Sequence, residues 1–298
     1  MSEIAVFGSI NMDLTLSVES FPEPGETVKA RDFKRLPGGK GANQAVAAAR
    51  LGGDVSMFGL VGRGPFADDL KNNLDENEVN TENIETIPGT SGFAVVSVDN
   101  HGENQITVVP GANGKIDDGY ILKVADIISG FDILLLQLET PLRATIDLLK
   151  RLPEKRPEVI LDPAPAVHYS ALPLDSIDFL TPNESELDIL TEAQNIQKGV
   201  SNMLDSGLEA LVLKQGRNGA RYLSSKKECS VEAFEVRAVD STGAGDAFNG
   251  ALAVALAEGK EISDAIKFAN AGGACAVMGK GAQSSLPTKK DIDELARI

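Results

Sequence analysis

In 298 residues the chain has no tryptophan, two histidines and two cysteines, and it is short of positive charge, with 28 Lys and Arg against 44 Asp and Glu. His101 and His168 sit in unrelated contexts, which argues against a catalytic triad or a multi-histidine metal centre. Cys229 and Cys275 are far apart and fall in no cluster with metal-ligand spacing, so two reduced thiols are expected. The net charge of −16 argues against a nucleic-acid partner, whose affinity rests on neutralising phosphates with Lys and Arg. Small anionic ligands stay open, because a helix terminus and one or two placed cations act locally. No apolar run reaches the roughly 18 residues needed to span a bilayer. The stretch Met1-Ser2-Glu3-Ile4 sets no basic segment before an apolar one, so no membrane partner and a cytoplasmic location are expected.

What is present suits a large soluble core: 42% hydrophobic and 24% charged residues. Ile4 to Ser9 reads as a buried strand, and Leu14 to Val18 alternates like a half-exposed one. A turn cluster at Phe21 to Gly25 precedes a further strand expected over Thr27 to Leu36. Gly92 to Val98 and Gln105 to Val109 form a hairpin pattern around Asp99-Asn100-His101-Gly102. These four strands lack helices between them and read as a small sheet standing off a larger body. Elsewhere strand and helix patterns alternate as in a parallel sheet: helix from Gly41, strand from Val55, helix from Pro65, then apolar strands at Phe131 to Glu139, Val159 to Asp162, Asp178 to Thr181 and Ala210 to Lys214. Short linkers argue for one α/β domain over residues 1–298, with the small-sheet strands inserted at about 12–38 and 90–110. Ligands of such folds gather at the carboxyl ends of strands, where Asn11, Glu139, Asp162, Asn183 and Lys214 are expected.

The pattern with most chemistry in it is Asp240-Ser241-Thr242-Gly243-Ala244-Gly245-Asp246-Ala247-Phe248, which opens an apolar helix. The first turn of a helix carries unpaired N–H groups and a partial positive charge, and Gly243, Ala244 and Gly245 put no side chain in a phosphate's way. A resting phosphate has no use for the neighbouring carboxylate. Asp246 therefore points to a reaction in which it accepts a proton from a hydroxyl that attacks phosphorus. The competing reading is an ordinary helix start with an acidic first turn.

Pro37-Gly38-Gly39-Lys40-Gly41-Ala42-Asn43-Gln44 opens another helix but fits neither a phosphate-binding P-loop nor a dinucleotide fingerprint. Its glycines, with Lys40 and Asn43 beside them, suit a small polyhydroxylated molecule, against the alternative of a tight turn. Asn183 and Glu186 have capping-box spacing; the functional alternative sets Glu186 to order water around Mg²⁺ and Asn183 near nucleotide phosphates. Lys214 to Gly219 is either a hairpin turn or a nucleotide-lining loop. Two helices follow, Ala244 to Glu258 and Ser263 to Met278, rich in small residues. Gly272-Gly273 inside the second costs about 1 kcal/mol per residue relative to Ala, which close approach of a backbone or ligand would explain.

With Asn11-Met12-Asp13, Gly111-Ala112-Asn113, Gln137-Leu138-Glu139, Asp162-Pro163-Ala164-Pro165 and Thr181-Pro182-Asn183-Glu184, these segments resemble the ribokinase family of carbohydrate kinases over nearly the whole chain. The resemblance implies a three-layer α/β/α fold with a mostly parallel central sheet and a small β-sheet lid. It implies ATP-dependent phosphorylation of D-ribose at the 5-hydroxyl, with Asp246 as the base and the amides of Gly243, Ala244 and Gly245 as the anion hole. Asn11, Asp13, Gly39, Lys40, Asn43, Glu139 and Asp246 match sugar-binding positions. Asn183, Lys214, Gly216, Gly219, Gly245 and Asn270 match nucleotide contacts, and Glu186 matches the acidic position linked to Mg²⁺ through water. Asp240, Thr242, Ala276, Gly279, Gly281 and Ser285 fall where the family holds an activating K⁺. A homodimer paired through the lid strands is expected. Departures are slight: Ser241 where Thr is usual, and Gly279 where a longer side chain often sits. Competing readings are a deoxyribokinase, a fructokinase, a nucleoside kinase, for which the lack of Trp and the three Tyr leave little to stack on a base, or a catalytically idle sugar-binding regulator.

Overall fold

The computed structural model describes residues 3–192 and 195–296. The chain opens with strands β1 (Glu3–Phe7), β2 (Asn11–Ser17) and β3 (Asp32–Gly38), then helix α1 (Lys40–Arg50), β4 (Asp54–Gly62), α2 (Ala67–Glu76) and β5 (Ile84–Ile87). The hairpin β6 (Gly92–Val98) and β7 (Asn104–Val109) leads into α3 (Asp118–Ile128), β8 (Ile133–Leu136), α4 (Leu142–Arg151), β9 (Glu158–Leu161) and β10 (Phe179–Leu180). Next come α5 (Glu184–Thr191), α6 (Ile196–Asp205), β11 (Ala210–Lys214), β12 (Ala220–Ser224) and β13 (Glu228–Val231), and then α7 (Ala244–Ala257), α8 (Ile262–Ala276) and α9 (Lys289–Leu295).

Nine strands form the main sheet in the order β13-β12-β11-β10-β9-β8-β1-β4-β5, parallel except for the β11-β12-β13 edge. Side chains of β1 alternate between its two faces: Ile4 and Val6 join the core beneath α1, α7 and α8, while Ala5 and Phe7 join the core beneath α3, α4 and α5. All four are fully buried, as a doubly covered strand demands. The chain leaves β1 toward β4 on one side and later returns to β8 on the other, so the strand order reverses at β1. Such a switch point opens a crevice at the carboxyl ends of the strands.

The second sheet, β3-β2-β6-β7, stands over that crevice, with β2 parallel to β6 and the other pairs antiparallel. β3 begins at Asp32, later than Thr27, because its register ends at the pair Ser17–Asp32 and the earlier residues have no strand to join. Asn11 opens β2 instead of closing β1, and Gly8, Ser9 and Ile10 link the two. β5 and β13 are the two edge strands of the main sheet, of four residues each, and β12 pairs with both β11 and β13.

α7 and α8 pack closely through small residues. A Cβ on Gly272 would stand 2.9 Å from Ala251 Cβ and 3.0 Å from the Ala247 carbonyl, and one on Gly250 would stand 2.7 Å from Ala47 Cβ in α1. Their absence lets three helices meet behind the start of α7. The helix-interior cost of Gly272 is thus tied to backbone approach, whereas Gly273 faces a cavity.

Candidate active site

The start of α7 is the meeting point. Gly243, its N-cap, has φ 77°, a left-handed conformation that glycine adopts at least cost, and a Cβ there would stand 3.1 Å from Ala282 Cα. The amide of Ala244 is spent on the Ser241 carbonyl at 3.2 Å, because the turn before the helix folds back on it. Within the helix mouth the amides free of any described partner are those of Gly243, Gly245 and Asp246. These free donors at a helix terminus suit an anion, and they include two of the predicted trio, Gly243 and Gly245, with Asp246 in place of Ala244.

Asp246 is 5% exposed. Asn43 Nδ2 donates to its Oδ2 at 2.9 Å and Gln44 Nε2 to its Oδ1 at 3.1 Å. Gln137 Nε2 donates to Gln44 Oε1 at 2.7 Å, which fixes the amide so that its nitrogen faces the carboxylates. Burial raises the Asp246 carboxyl above its usual range; the Lys40 charge opposes this, the Asp162 charge adds to it, and the amides of Asn43 and Gln44 lower it. The result is a carboxylate with enhanced proton affinity at the mouth of a helix.

On one side of Asp246 lies a polar niche under the small sheet. Gly39 has φ 90°, and a Cβ there would stand 2.8 Å from the Asn11 amide nitrogen, so the turn into α1 needs glycine. Glu139 Oε2 accepts from Ser9 Oγ at 2.6 Å and from the Lys40 amide at 3.0 Å, leaving Oε1 for a ligand. Asp13 has no hydrogen-bond partner among the described residues, and burial, reinforced by Glu139, pushes its carboxyl up to about 6. A Cβ on Gly38 would stand 2.5 Å from Asp13 Oδ2, so that glycine makes room for the carboxylate. Burial lowers the proton affinity of the Lys40 ammonium, but Asp246, Asp162, Glu139 and Glu186 together outweigh it and hold the charge firmly. Asn43 Oδ1 is buried and lacks a donor. Acceptors without donors beside a cation are what a ligand rich in hydroxyls satisfies.

Two positioning residues escaped the role assignment from sequence. Asn113, 1% exposed, donates to Asn11 Oδ1 at 2.7 Å and accepts from the Ile10 amide at 3.0 Å, tying the start of β2 to the turn after β7. Ser9 braces Glu139. Both stand in the segments singled out above, but their partners are about 100 and 130 residues away, beyond what spacing can show.

On the other side of Asp246 lies a cavity of about 740 Å³ lined by Asn183, Lys214, Gly216, Gly219, Gly245 and Asn270. Its apolar wall comes from Ala233, Phe234 and Val236 after β13 and from Ala274 and Val277 of α8 and its end. The segment after β13 carries no periodicity and was not legible as part of a site. Lys214 to Gly219 is both a hairpin turn, joining β11 to antiparallel β12, and a lining of this cavity. Asn270 spends its Nδ2 on the Val231 and Glu232 carbonyls and so straps that segment, leaving Oδ1 for a ligand. Asn183 and Glu186 form a reciprocal capping box, each side chain bound to the other's amide at 2.8 Å. That satisfies the local reading, and Glu186 keeps one carboxylate oxygen free of any described donor.

Beside the helix mouth, Asp240 ties two loops together. Its Oδ1 accepts from the Thr242 amide and hydroxyl, and its Oδ2 from the Gly281 amide at 2.9 Å. Burial works against its charge, but the hydrogen bonds from Gly281 and Thr242 and the Lys280 charge hold its carboxyl below the usual range. The Ala276 carbonyl accepts from the Gly279 amide, and Ser285 Oγ donates to the Gly281 carbonyl. A Cβ on Gly279 would stand 2.6 Å from Ser285 Cβ, which accounts for glycine there. Asp240 and Thr242 thus lie before α7, while Gly279, Gly281 and Ser285 follow Ala276, the last residue of α8; the Asp240–Gly281 hydrogen bond joins the two segments, which offer carbonyls and one ionised carboxylate.

A polar niche and a larger cavity that share a helix terminus with free amides and a buried carboxylate suit a phosphotransferase acting on a hydroxyl. A profile for the "pfkB family carbohydrate kinase" matches residues 1–289, and the chain belongs to that family. It is 41% identical to the ribokinase of Bacillus subtilis over 99% of both chains, and 37% identical to the deoxyribokinase of Salmonella typhi over 98% of both. Among solved structures, that of Arabidopsis thaliana ribokinase complexed with ribose and ATP superposes with a TM-score of 0.90 at 31% identity, covering 100% of each chain.

Proposed function

We propose that the protein transfers the γ-phosphoryl group of ATP to the 5-hydroxyl of D-ribose, giving D-ribose 5-phosphate and ADP. The observation that carries this is the position of Asp246, a buried carboxylate between a hydroxyl-binding niche and a nucleotide-sized cavity at one helix terminus. In this reading Asn11, Asp13, Gly39, Lys40, Asn43 and Glu139 hold the sugar, and Asp246 takes its hydroxyl proton. The cavity residues Asn183, Lys214, Gly216, Gly219, Gly245 and Asn270 hold the nucleotide. The free amides of the helix mouth receive the phosphoryl charge, which in a loose transition state is the main demand besides alignment. The small sheet covers the sugar and excludes water that would otherwise hydrolyse ATP.

A divalent ion such as Mg²⁺ accompanies ATP in this chemistry. The described residues contain no cluster of three or more His, Cys, Asp or Glu able to cage a metal, which suits an ion that keeps its waters and rides on phosphates. The spare oxygen of Glu186 would order those waters, and the ion would neutralise phosphate charge. Hard oxygen donors on the Asp240, Thr242, Ala276, Gly279, Gly281 and Ser285 loops fit K⁺, which would steady the turn that presents the anion pocket.

The proposal includes a cytoplasmic location and a homodimer paired through the small sheet. The support for pairing is that edge strands β3 and β7 expose Phe33, Ile106 and Val108, each more than half accessible. Sedimentation of Ile106→Glu against the unmodified chain tests it: the dimer is expected to dissociate, and an unmodified chain that sediments as a monomer overturns it. A coupled ADP-release assay over ribose, 2-deoxyribose, fructose and adenosine, with and without K⁺, tests the reaction. Equal rates on fructose and ribose would defeat the ribose assignment, and no rate on any substrate would favour the regulator.

A further inference from the structure

One buried ion pair, Asp162 with Lys214, lies between the two halves of the site. Their side chains are 2% and 12% exposed, and Lys214 Nζ donates to Asp162 Oδ1 at 2.8 Å. Burying both ions is costly, and their attraction does little more than offset that cost, so core stability is a poor reason for the pair. Its surroundings offer a better one. Lys214 closes β11 and lines the nucleotide cavity, and its Nζ lies 3.7 Å from where a Cβ on Gly245 would stand, over a free amide of the helix mouth. The other oxygen of Asp162 accepts from Gln44 Nε2 at 3.0 Å, and the same nitrogen holds Asp246 at 3.1 Å. Ammonium and base are joined by three hydrogen bonds through two side chains.

We infer that Lys214 is a catalytic residue, the side-chain cation that meets the transferring phosphoryl group, and that Asp162 is a positioning residue that aims it and links nucleotide binding to the strength of Asp246 as a base. The inference deepens the kinase reading and rests on it. An ammonium has three donors, so Lys214 reaches a γ-phosphoryl oxygen while Asp162 still holds it. Sharing that charge with phosphate leaves Asp162 less neutralised, and its negative potential on Asp246 grows. The charged groups acting on Asp246 are Lys40 from α1 and Asp162 after β9, with Asn43 and Gln44 as neutral donors. As the sugar oxygen bonds to phosphorus, its proton passes to Asp246, the bond from phosphorus to the bridging oxygen breaks, and the electron pair leaves on ADP.

The test uses the full chain with Lys214→Met, Asp162→Asn and both changes together. Lys214→Met leaves Asp162 buried and unpaired, so the double variant, which restores neutrality, serves as the folding control by its melting temperature. Calorimetry without sugar is expected to show Lys214→Met weakening ATP binding at least tenfold more than ADP binding. With ribose, kcat is expected to fall about a hundredfold, the lower range for losing one preorganised donor. The double variant is expected to be no slower than Lys214→Met alone. Asp162→Asn removes a charge that raises the proton affinity of Asp246, so the acid limb of its kcat profile is expected at lower pH. A folded double variant with kcat within threefold of the unmodified chain, or ATP and ADP affinities that weaken equally, overturns the inference. If ribose is not phosphorylated, the ribose assignment fails while the ATP-against-ADP difference still reads Lys214.

Discussion

Asp246 and Asp162, both buried, accept from the same nitrogen: Gln44 Nε2 lies 3.1 Å from Oδ1 of the first and 3.0 Å from Oδ2 of the second. Removing the amide leaves two carboxylates facing each other without a donor between them. Gln44→Ala is expected to cost about 2–4 kcal/mol of stability at pH 7.5, the range for stranding buried charged acceptors. The sign of the pH effect follows from linkage. A carboxyl whose folded pKa lies above its unfolded value binds more protons when folded, so folding gains as pH falls through the folded value. Asp246 is already in that direction, and the variant goes further. Urea titrations at pH 7.5 and 5.5 are expected to show a smaller loss at the lower pH; an equal loss at both would refute the shared-amide account.

Replacing Asp246 by Asn keeps the shape and removes the proposed base. Turnover with ribose is expected to fall at least about a hundredfold, the lower range for general-base removal. Stability is expected to hold or rise, because a buried charge whose pKa is raised is being removed. Near-normal turnover at an unchanged melting temperature would sink the assignment.

The raised carboxyl of Asp13 carries its own pH signature. With its pKa at about 6, the acceptor form needed for a sugar hydroxyl is lost as pH falls below that value. The KM for ribose is expected to climb about tenfold per pH unit below 6 while the KM for ATP stays level. Asp13→Asn should remove the slope. A ribose KM that is flat from pH 7 to 5 would show that Asp13 does not bind the sugar as an anion.

Much of this site was legible because its elements are short and local. Gly243 and Gly245 at the start of α7 marked open backbone beside an acidic residue, and the apolar run before Gln137 marked a central strand. The capping box of Asn183 and Glu186 was readable from a spacing of three. What escaped was contact between distant segments: Gln44 reaching Asp162, Lys214 meeting Gly245, Asn113 holding Asn11. Each partner is a common polar residue, and only the fold brings the pair together. The amide of Ala244 was assigned to the anion pocket because composition shows which residues are small; it does not show which amides a turn consumes.

The last prediction concerns Asn113, which the site needs without its touching the base. Its Nδ2 donates to the Ile10 carbonyl at 3.2 Å and to Asn11 Oδ1 at 2.7 Å, so the Asn11 amide nitrogen is left as the free donor that the proposed sugar site uses. Asn113→Ala takes a partner from the Ile10 amide and from two acceptors, the Ile10 carbonyl and Asn11 Oδ1, a cost of about 1–3 kcal/mol for each group left unmatched. It also frees Asn11 to rotate. Ribose affinity is therefore expected to weaken about tenfold, equivalent to about 1.4 kcal/mol, while kcat at saturating ribose changes little because Asp246 and the helix mouth are untouched. Asn113→Asp is the harsher change: it still accepts from the Ile10 amide but sets a buried carboxylate against both the Ile10 carbonyl and Asn11 Oδ1, so it should lose more stability than Asn113→Ala and at least the same ribose affinity. Calorimetry at a temperature where both variants are folded decides the matter. Ribose binding unchanged in Asn113→Asp would reduce Asn113 to a structural tie.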